Sequence, residues 1–397
     1  MQINNIITVL SSEEGIHFLK NNLKNNPNDL ALKYSGKTKF DLKTALNLLS
    51  IYKKAKKKIP IVSDNFLAID QRSYEQSTSQ KVAQFKTKFI RGKNLLDLTA
   101  GIGIDSIYLS QNFEQIEAVE INQALHELAS FNLKKIGITN IKRIHGDSFK
   151  ILSGKFYDWV YIDPDRRING KRAVDLNYLK PDILGNLALI KKSATKIYIK
   201  LSPLFDLSEI ARSFKQFNAI YLIAEKNELK EVGIFIDYST QSGINSSTIH
   251  LKDVSTNFYV KFPFDEYLIR KKYTYKTGCN KFLHTPSVLV AKSSCFYFFT
   301  KGRDVTKHLA FQIFFSENKN LPGFRTFEVI DKCALSLKQI KRILQLNNLA
   351  KVNIILKGLN EPPSKWHNKL GTKDGGDYFL FILKSDESET IICKRVI

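Results

Sequence analysis

The sequence predicts an α/β fold: an open, doubly wound sheet, preceded by helices and followed by a smaller α+β unit. Three observations carry this. Four strand-like runs between Leu95 and Ile162 each end in or just before an acidic residue, and the first, an apolar one, runs into the small-residue turn Thr99-Ala100-Gly101-Ile102-Gly103. The residues beyond 322 alternate strand and helix patterns. Apolar strands with chemistry at their carboxyl ends indicate a sheet covered on both faces, with its site along that edge. At 397 residues the chain exceeds what one core organises, so more than one domain is expected.

Residues 1–92 read as helical, with amphipathic periodicity at 15–23 and 42–52. The run Lys53-Lys54-Ala55-Lys56-Lys57-Lys58 is either a solvated helix end, where cations suit the helix dipole, or a phosphate patch. Residues 93–250 form the central domain. Its first strand ends at Asp97, a helix follows at 106–111, and the next three strands lead to Glu120, Asp147 and Asp163-Pro164. Strands at 196–200, 219–224 and 232–238 bring the total to seven. A basic, aromatic-rich connecting domain is expected at 251–322. There Phe258, Tyr259, Phe262, Tyr273, Tyr275 and Phe296-Tyr297-Phe298-Phe299 read mainly as strand core, with base stacking as the alternative. Residues 323–397 follow the order βαβαββ, and Lys373-Asp374-Gly375-Gly376-Asp377 is a turn whose glycines allow positive φ.

Gly101 and Gly103 allow a tight turn and close approach of a ligand to the backbone. A phosphate loop would need a lysine and a hydroxyl where Ile104 and Asp105 stand, which argues against phosphate cradling. Ser106 replaces the third glycine of a dinucleotide fingerprint, which weakens an NAD reading without removing it. Glu120, roughly 20 residues after Asp97, suits a ribose diol.

Taken in order, Asp97 to Asp105, Glu120, Asp147 and Asp163-Pro164 resemble class I S-adenosylmethionine (SAM) dependent methyltransferases. The resemblance implies a Rossmann-like class I methyltransferase domain. In it Asp97, Thr99, Gly101 and Gly103 surround the methionyl end of SAM, Glu120 binds its ribose, Asp147 meets the adenine amine, and the methyl acceptor enters at Asp163-Pro164. A wider match resembles a bacterial family that joins such a domain to a C-terminal THUMP-like domain. It rests on Tyr74-Glu75-Gln76-Ser77-Thr78-Ser79-Gln80, Asp163-Pro164-Asp165-Arg166-Arg167, Ile199-Lys200-Leu201-Ser202-Pro203-Leu204-Phe205-Asp206, Lys226-Asn227-Glu228-Leu229-Lys230-Glu231 and the 373–377 turn. Asp165 stands where that family usually has a small residue, and 265–292 match poorly. The stretch Glu75-Gln76-Ser77-Thr78-Ser79 reads either as a helix N-cap or, as the resemblance implies, as a cover over the methionyl group, and the resemblance also implies structured RNA, a tRNA or rRNA, as the partner.

The formal charge of +23 points the same way, since such self-repulsion suits an anionic partner, although an AT-rich genome also favours Lys, Asn and Ile. Four scattered cysteines without Cys-x-x-Cys spacing give neither a zinc site nor a disulfide framework, so no metal is expected. No membrane-length apolar run or signal peptide is present, and a cytoplasmic location is expected. The absence of cysteine between Met1 and Gly278 argues against thiolate-assisted methylation of a pyrimidine carbon. A nitrogen or oxygen acceptor needs only orientation, and Asp163 beside the Pro164 carbonyl suits that task. Arg166 and Arg167 either hold Asp163 and Asp165 or grip a substrate phosphate, while Lys200 and Asp206 flank the acceptor side. The expected activity is methylation of a base nitrogen in RNA. A protein or small-molecule acceptor, or a non-catalytic RNA-binding role, fits the same residues.

Overall fold

The computed structural model describes residues 3–152, 154–165, 167–168, 171–172, 175–240, 246–268 and 281–396. The chain divides into two compact units, Met1–Phe262 and Pro263–Ile397.

The first unit opens with α1 (Ile3–Ser11), α2 (Glu13–Asn22), α3 (Pro27–Tyr34), α4 (Leu42–Lys58), α5 (Pro60–Asp64), α6 (Gln71–Gln76) and α7 (Gln80–Lys86). Ser12, Asn26, Asp41 and Asp70 each accept a backbone N–H at a helix entry, which explains why helices start there. Ile6, Val9, Leu19, Leu48, Leu49 and Tyr52 share one core with Ile102, Ile104 and Leu128. The helices are therefore part of the sheet-bearing unit. Buried Asn132 bonds both backbone groups of Ala68 (2.6 and 2.8 Å), and Tyr52 donates to the Leu67 carbonyl (2.9 Å). These bonds fix the chain that enters α6.

The sheet comprises β1 (Asn94–Asp97), β2 (Gln115–Glu120), β3 (Ile141–His145), β4 (Tyr157–Ile162), β5 (Ala194–Leu201), β6 (Ala219–Glu225), β7 (Glu228–Asp237), β8 (Thr248–Asp253) and β9 (Tyr259–Pro263). Its order is β9-β8-β6-β7-β5-β4-β1-β2-β3. Strands β1 to β5 run parallel, β7 is antiparallel to both neighbours, and β8 is parallel to β6. The order reverses between β1 and β4, so the ends of these strands open a crevice at the switch point. Near-continuous burial of β4 and β6 matches their apolar sequences. The seven expected strands are present, and β8 and β9 extend the same sheet past residue 250.

The stretch 251–322 is consequently divided between the units. Its later residues supply β10 (Phe282–Pro286), β11 (Val305–Lys307) and β12 (Phe314–Ser316), which join β13 (Phe324–Ala334), β14 (Asn353–Lys357), β15 (Tyr378–Leu383) and β16 (Glu389–Arg395). The order is β11-β12-β10-β13-β16-β15-β14. The expected βαβαββ pattern is present, with helices Leu337–Leu346 and Pro363–Leu370 between strands. Ile340, Ile343 and Leu344 pack with Leu380, Ile382 and Ile392. Gly375 and Gly376 have positive φ (110° and 82°). The aromatic run 296–300 is a helix rather than a strand, and Phe299 is buried. Tyr273 and Tyr275 lie outside the described residues.

Candidate active site at the carboxyl edge of the sheet

Past Asp97 the chain turns under backbone bonds to both neighbouring strands: Leu98 N–H donates to Tyr161 O (3.0 Å) and Ala100 N–H to Val119 O (2.9 Å). Gly101 and Gly103 take φ of 54° and 83°, and Gly103 begins the helix α8 (Ile104–Leu109). A side chain at Gly101 would meet no protein atom within 4 Å, so the turn is open to a ligand there. Buried Asp97 accepts from Thr99 N–H (3.1 Å) and from the Ser106 hydroxyl, which accounts for serine at the third position of the fingerprint. Burial pushes the Asp97 carboxyl up to about 6 despite those two bonds.

Glu120 closes the turn from β2. One oxygen accepts Gly101 N–H and the other Asn122 N–H, both at 2.8 Å. Arg143 on β3 donates to the Gly101 carbonyl (2.8 Å), so the backbone of Gly101 is held on both sides. Burial lowers the Arg143 pKa against the pull of Asp97 and Glu120. Ile121, 73% exposed, presents an apolar side chain beside Glu120. Asp147 is exposed and accepts from Phe149 N–H (2.9 Å), at the start of the Ser148–Leu152 helix.

On the other side of the switch point, Asp163 donates its N–H to Thr99 Oγ1 (2.6 Å) and pairs through its carboxylate with Lys200 (2.5 Å). Pro164 is buried behind it. Lys200 also donates to Thr78 Oγ1 (2.9 Å) and lies 3.6 Å from Asp105, which accepts from Thr78 (2.7 Å). Fully buried Lys86 pairs with Asp105 (2.8 Å) and Glu231 (2.9 Å) and donates to the Tyr161 hydroxyl (2.8 Å), while Tyr198 donates to Glu231 (2.6 Å). Burial opposes the charge on Lys200, but Asp163 and Asp105 outweigh it and raise its pKa. Burial likewise opposes the charge on Asp105, and Lys86 and Lys200 hold its carboxyl well below the usual range. Two ammonium groups thus face three carboxylates. A cationic ligand suits the surplus negative charge.

The structure thus gathers Asp97, Thr99, Gly101, Gly103, Glu120, Asp163, Pro164 and Lys200 along one edge. Within the 74–80 segment it is Thr78 and Ser79 that are buried against this edge; Glu75 and Gln76 are exposed, and Glu75 accepts from Gln71 (2.6 Å). Asp206 caps the Leu207–Ser213 helix, accepting from Ser208 N–H (2.7 Å). Arg166 and the side chain of Arg167 lie outside the described residues. Asp165 pairs with Arg72 at 3.8 Å, and its backbone bridges to Lys180. Lys86 and Arg143 had no sequence signal, because a lysine closing a helix of mixed polarity and an arginine inside a strand both read as solvated. Thr78 belongs to the stretch expected to close over the methionyl group, whereas Glu231, at the end of the 226–231 stretch, carried no role of its own.

Among the described residues no group of three or more His, Cys, Asp or Glu is placed to hold a metal ion, and no helix is long and apolar enough to cross a membrane.

A family model for THUMP domain-like proteins matches residues 324–395. An uncharacterized RNA methyltransferase of Mycoplasma mobile is 29% identical over 143 residues, a match spanning 35% of this chain and 39% of that protein. A crystal structure from Porphyromonas gingivalis W83, for which methyltransferase activity is proposed, superposes with a TM-score of 0.82 over 99% of each chain at 21% identity. The chain therefore has the Rossmann-like fold of class I methyltransferases, followed by a THUMP-like domain at 324–395.

Proposed function

We propose that the protein is a SAM-dependent methyltransferase that modifies a nitrogen of a base in structured RNA, tRNA or rRNA. The observation that carries this reading is the ordered set of acids around the open Gly101 turn, at the point where the strand order reverses. The residues fit SAM. Each Glu120 oxygen accepts one backbone N–H and keeps a lone pair for a ribose hydroxyl. Exposed Ile121 would offer a face to the purine, Asp147 would meet the adenine amine, and Asp97, Thr99, Gly101 and Gly103 would hold the methionyl end.

Bound SAM supplies an electrophilic methyl group on a sulfonium. The protein's own share is alignment, which supplies much of the rate in an in-line transfer. The Asp163 carboxylate, held by Lys200, accepts hydrogen bonds and would orient an N–H of the acceptor, with the Pro164 carbonyl as a second acceptor. Lys200, pinned by Thr78 and Asp105, holds that carboxylate in place. The absence of cysteine from unit 1 argues against thiolate-assisted methylation of a pyrimidine carbon. The matched Mycoplasma protein, the THUMP-like domain and the +23 charge support RNA as the acceptor.

Purified protein incubated with methyl-labelled SAM and total cellular RNA tests the reading. Ribonuclease-sensitive label in RNA is expected; label found only in protein or small molecules would refute it.

A further inference from the structure

Between β6 and β7 the chain reverses in two residues, Lys226 and Asn227, with Glu225 paired to Glu228 across the turn. Both central residues have positive φ, 54° and 58°. This is the backbone of a type I′ turn, which suits strand twist but calls for Gly, Asn or Asp at both positions. Asn227 meets that demand. Lys226 does not, and its exposed ammonium makes no hydrogen bond or ion pair among the described residues that would compensate.

The conformation is imposed from outside. Lys226 N–H donates to Ser255 Oγ (2.6 Å) and Asn227 N–H to Asp253 Oδ2 (2.9 Å), while Asp253 is buried and also accepts Ser255 N–H (2.8 Å). The turn stands at the carboxyl end of β6, on the edge that bears the site. Glu225, immediately before it, accepts from Ser79 (2.7 Å), whose neighbour Thr78 bonds Lys200. Two more cations share this rim. Lys58 reaches from the end of α4 to the carbonyls of Tyr74 and Glu75 (2.8 and 3.0 Å), and Lys230 pairs with Glu228 (2.7 Å). Burial, and then the nearby Lys230 and Lys200 ammonium groups, draw Lys58 down to about 8. A strained residue held by its surroundings at a site edge points to work done by its side chain.

We propose that Lys226 is a substrate-binding residue that takes a phosphodiester of the RNA strand beside the acceptor base. The inference rests on the RNA methyltransferase reading above. A lysine suits the task because a point charge on a flexible stem tolerates variable phosphate positions and carries no base preference.

The test is Lys226→Gly in the full chain, with three readouts: melting midpoint, calorimetric SAM affinity, and binding of labelled small RNA from a strain lacking the gene, over a range of salt. Glycine relieves the left-handed strain, so the midpoint is expected to rise while SAM affinity stays unchanged. RNA affinity is expected to fall about three- to tenfold, with a salt slope shallower by about one. Lys226→Glu should weaken RNA binding further. Wild-type and Lys226→Gly proteins that bind RNA equally would overturn this inference alone; a wild-type protein that binds SAM but no RNA would overturn the RNA reading and this inference with it.

Discussion

Asp97→Asn should make the protein more stable and its cofactor site worse. Asp97 is 2% exposed, and burial raises its pKa from 3.8 to about 6. A carboxyl whose pKa is higher in the folded state binds its proton more tightly there. Its favourable contribution is complete below pH 3.8 and is lost as pH rises through 6, so above that the ionised group costs the fold up to about 3 kcal/mol at 1.36 kcal/mol per unit. Asparagine keeps an oxygen for Thr99 N–H and offers its amide to the Ser106 hydroxyl, which rotates to accept. Urea unfolding should therefore show the variant more stable than wild type at pH 7.5, with the gap closing near pH 4. Calorimetry at pH 7.5 should show SAM binding weakened roughly tenfold or more, since the carboxylate proposed to stand beside the cationic methionyl end is lost. A variant less stable than wild type at pH 7.5, a gap independent of pH, or unchanged SAM affinity would refute the reasoning.

Lys86→Met should destabilise the protein by about 3–5 kcal/mol in urea unfolding, because Asp105 and Glu231 are left buried without their shared cation, and adding Glu231→Gln should recover part of the loss. Gly101→Ala should cost only about 1–2 kcal/mol of stability, as the new methyl meets no protein atom but sits on a left-handed backbone. The same methyl enters the space proposed for the cofactor, so SAM affinity measured by calorimetry should fall by more than the stability change suggests.

The central sheet was legible because β1, β2 and β4 are largely buried and write themselves as apolar runs, and because these runs and the more exposed β3 end at or shortly before an acid. The limit at 250 was not. Strand β8 carries His250 and Asp253, and β9 is half polar, as expected near the edge of a sheet, so both resemble the basic segment after them. The acids themselves divide by a rule that spacing does not reveal. Asp97 and Glu120 end strands and hold the Gly101 turn, whereas Asp147 and Asp206 each bond the first turn of a helix. A carboxylate before a helix reads identically whether it caps or binds. The Lys86–Asp105–Glu231 cluster was invisible for another reason: Glu231 lies 145 positions from Lys86, and a lysine ending a helix that also carries Gln80, Lys81 and Gln84 gives no sign of being buried.

The most direct test of the account is nucleoside mass spectrometry of tRNA and rRNA from a strain lacking the gene, rescued with wild-type protein or with Asp163→Ala. The account predicts one N-methylated base that disappears in the deletion strain, returns with wild type and stays absent with Asp163→Ala at equal protein level and equal SAM affinity. An unchanged nucleoside profile on deletion, or full rescue by Asp163→Ala, would contradict it.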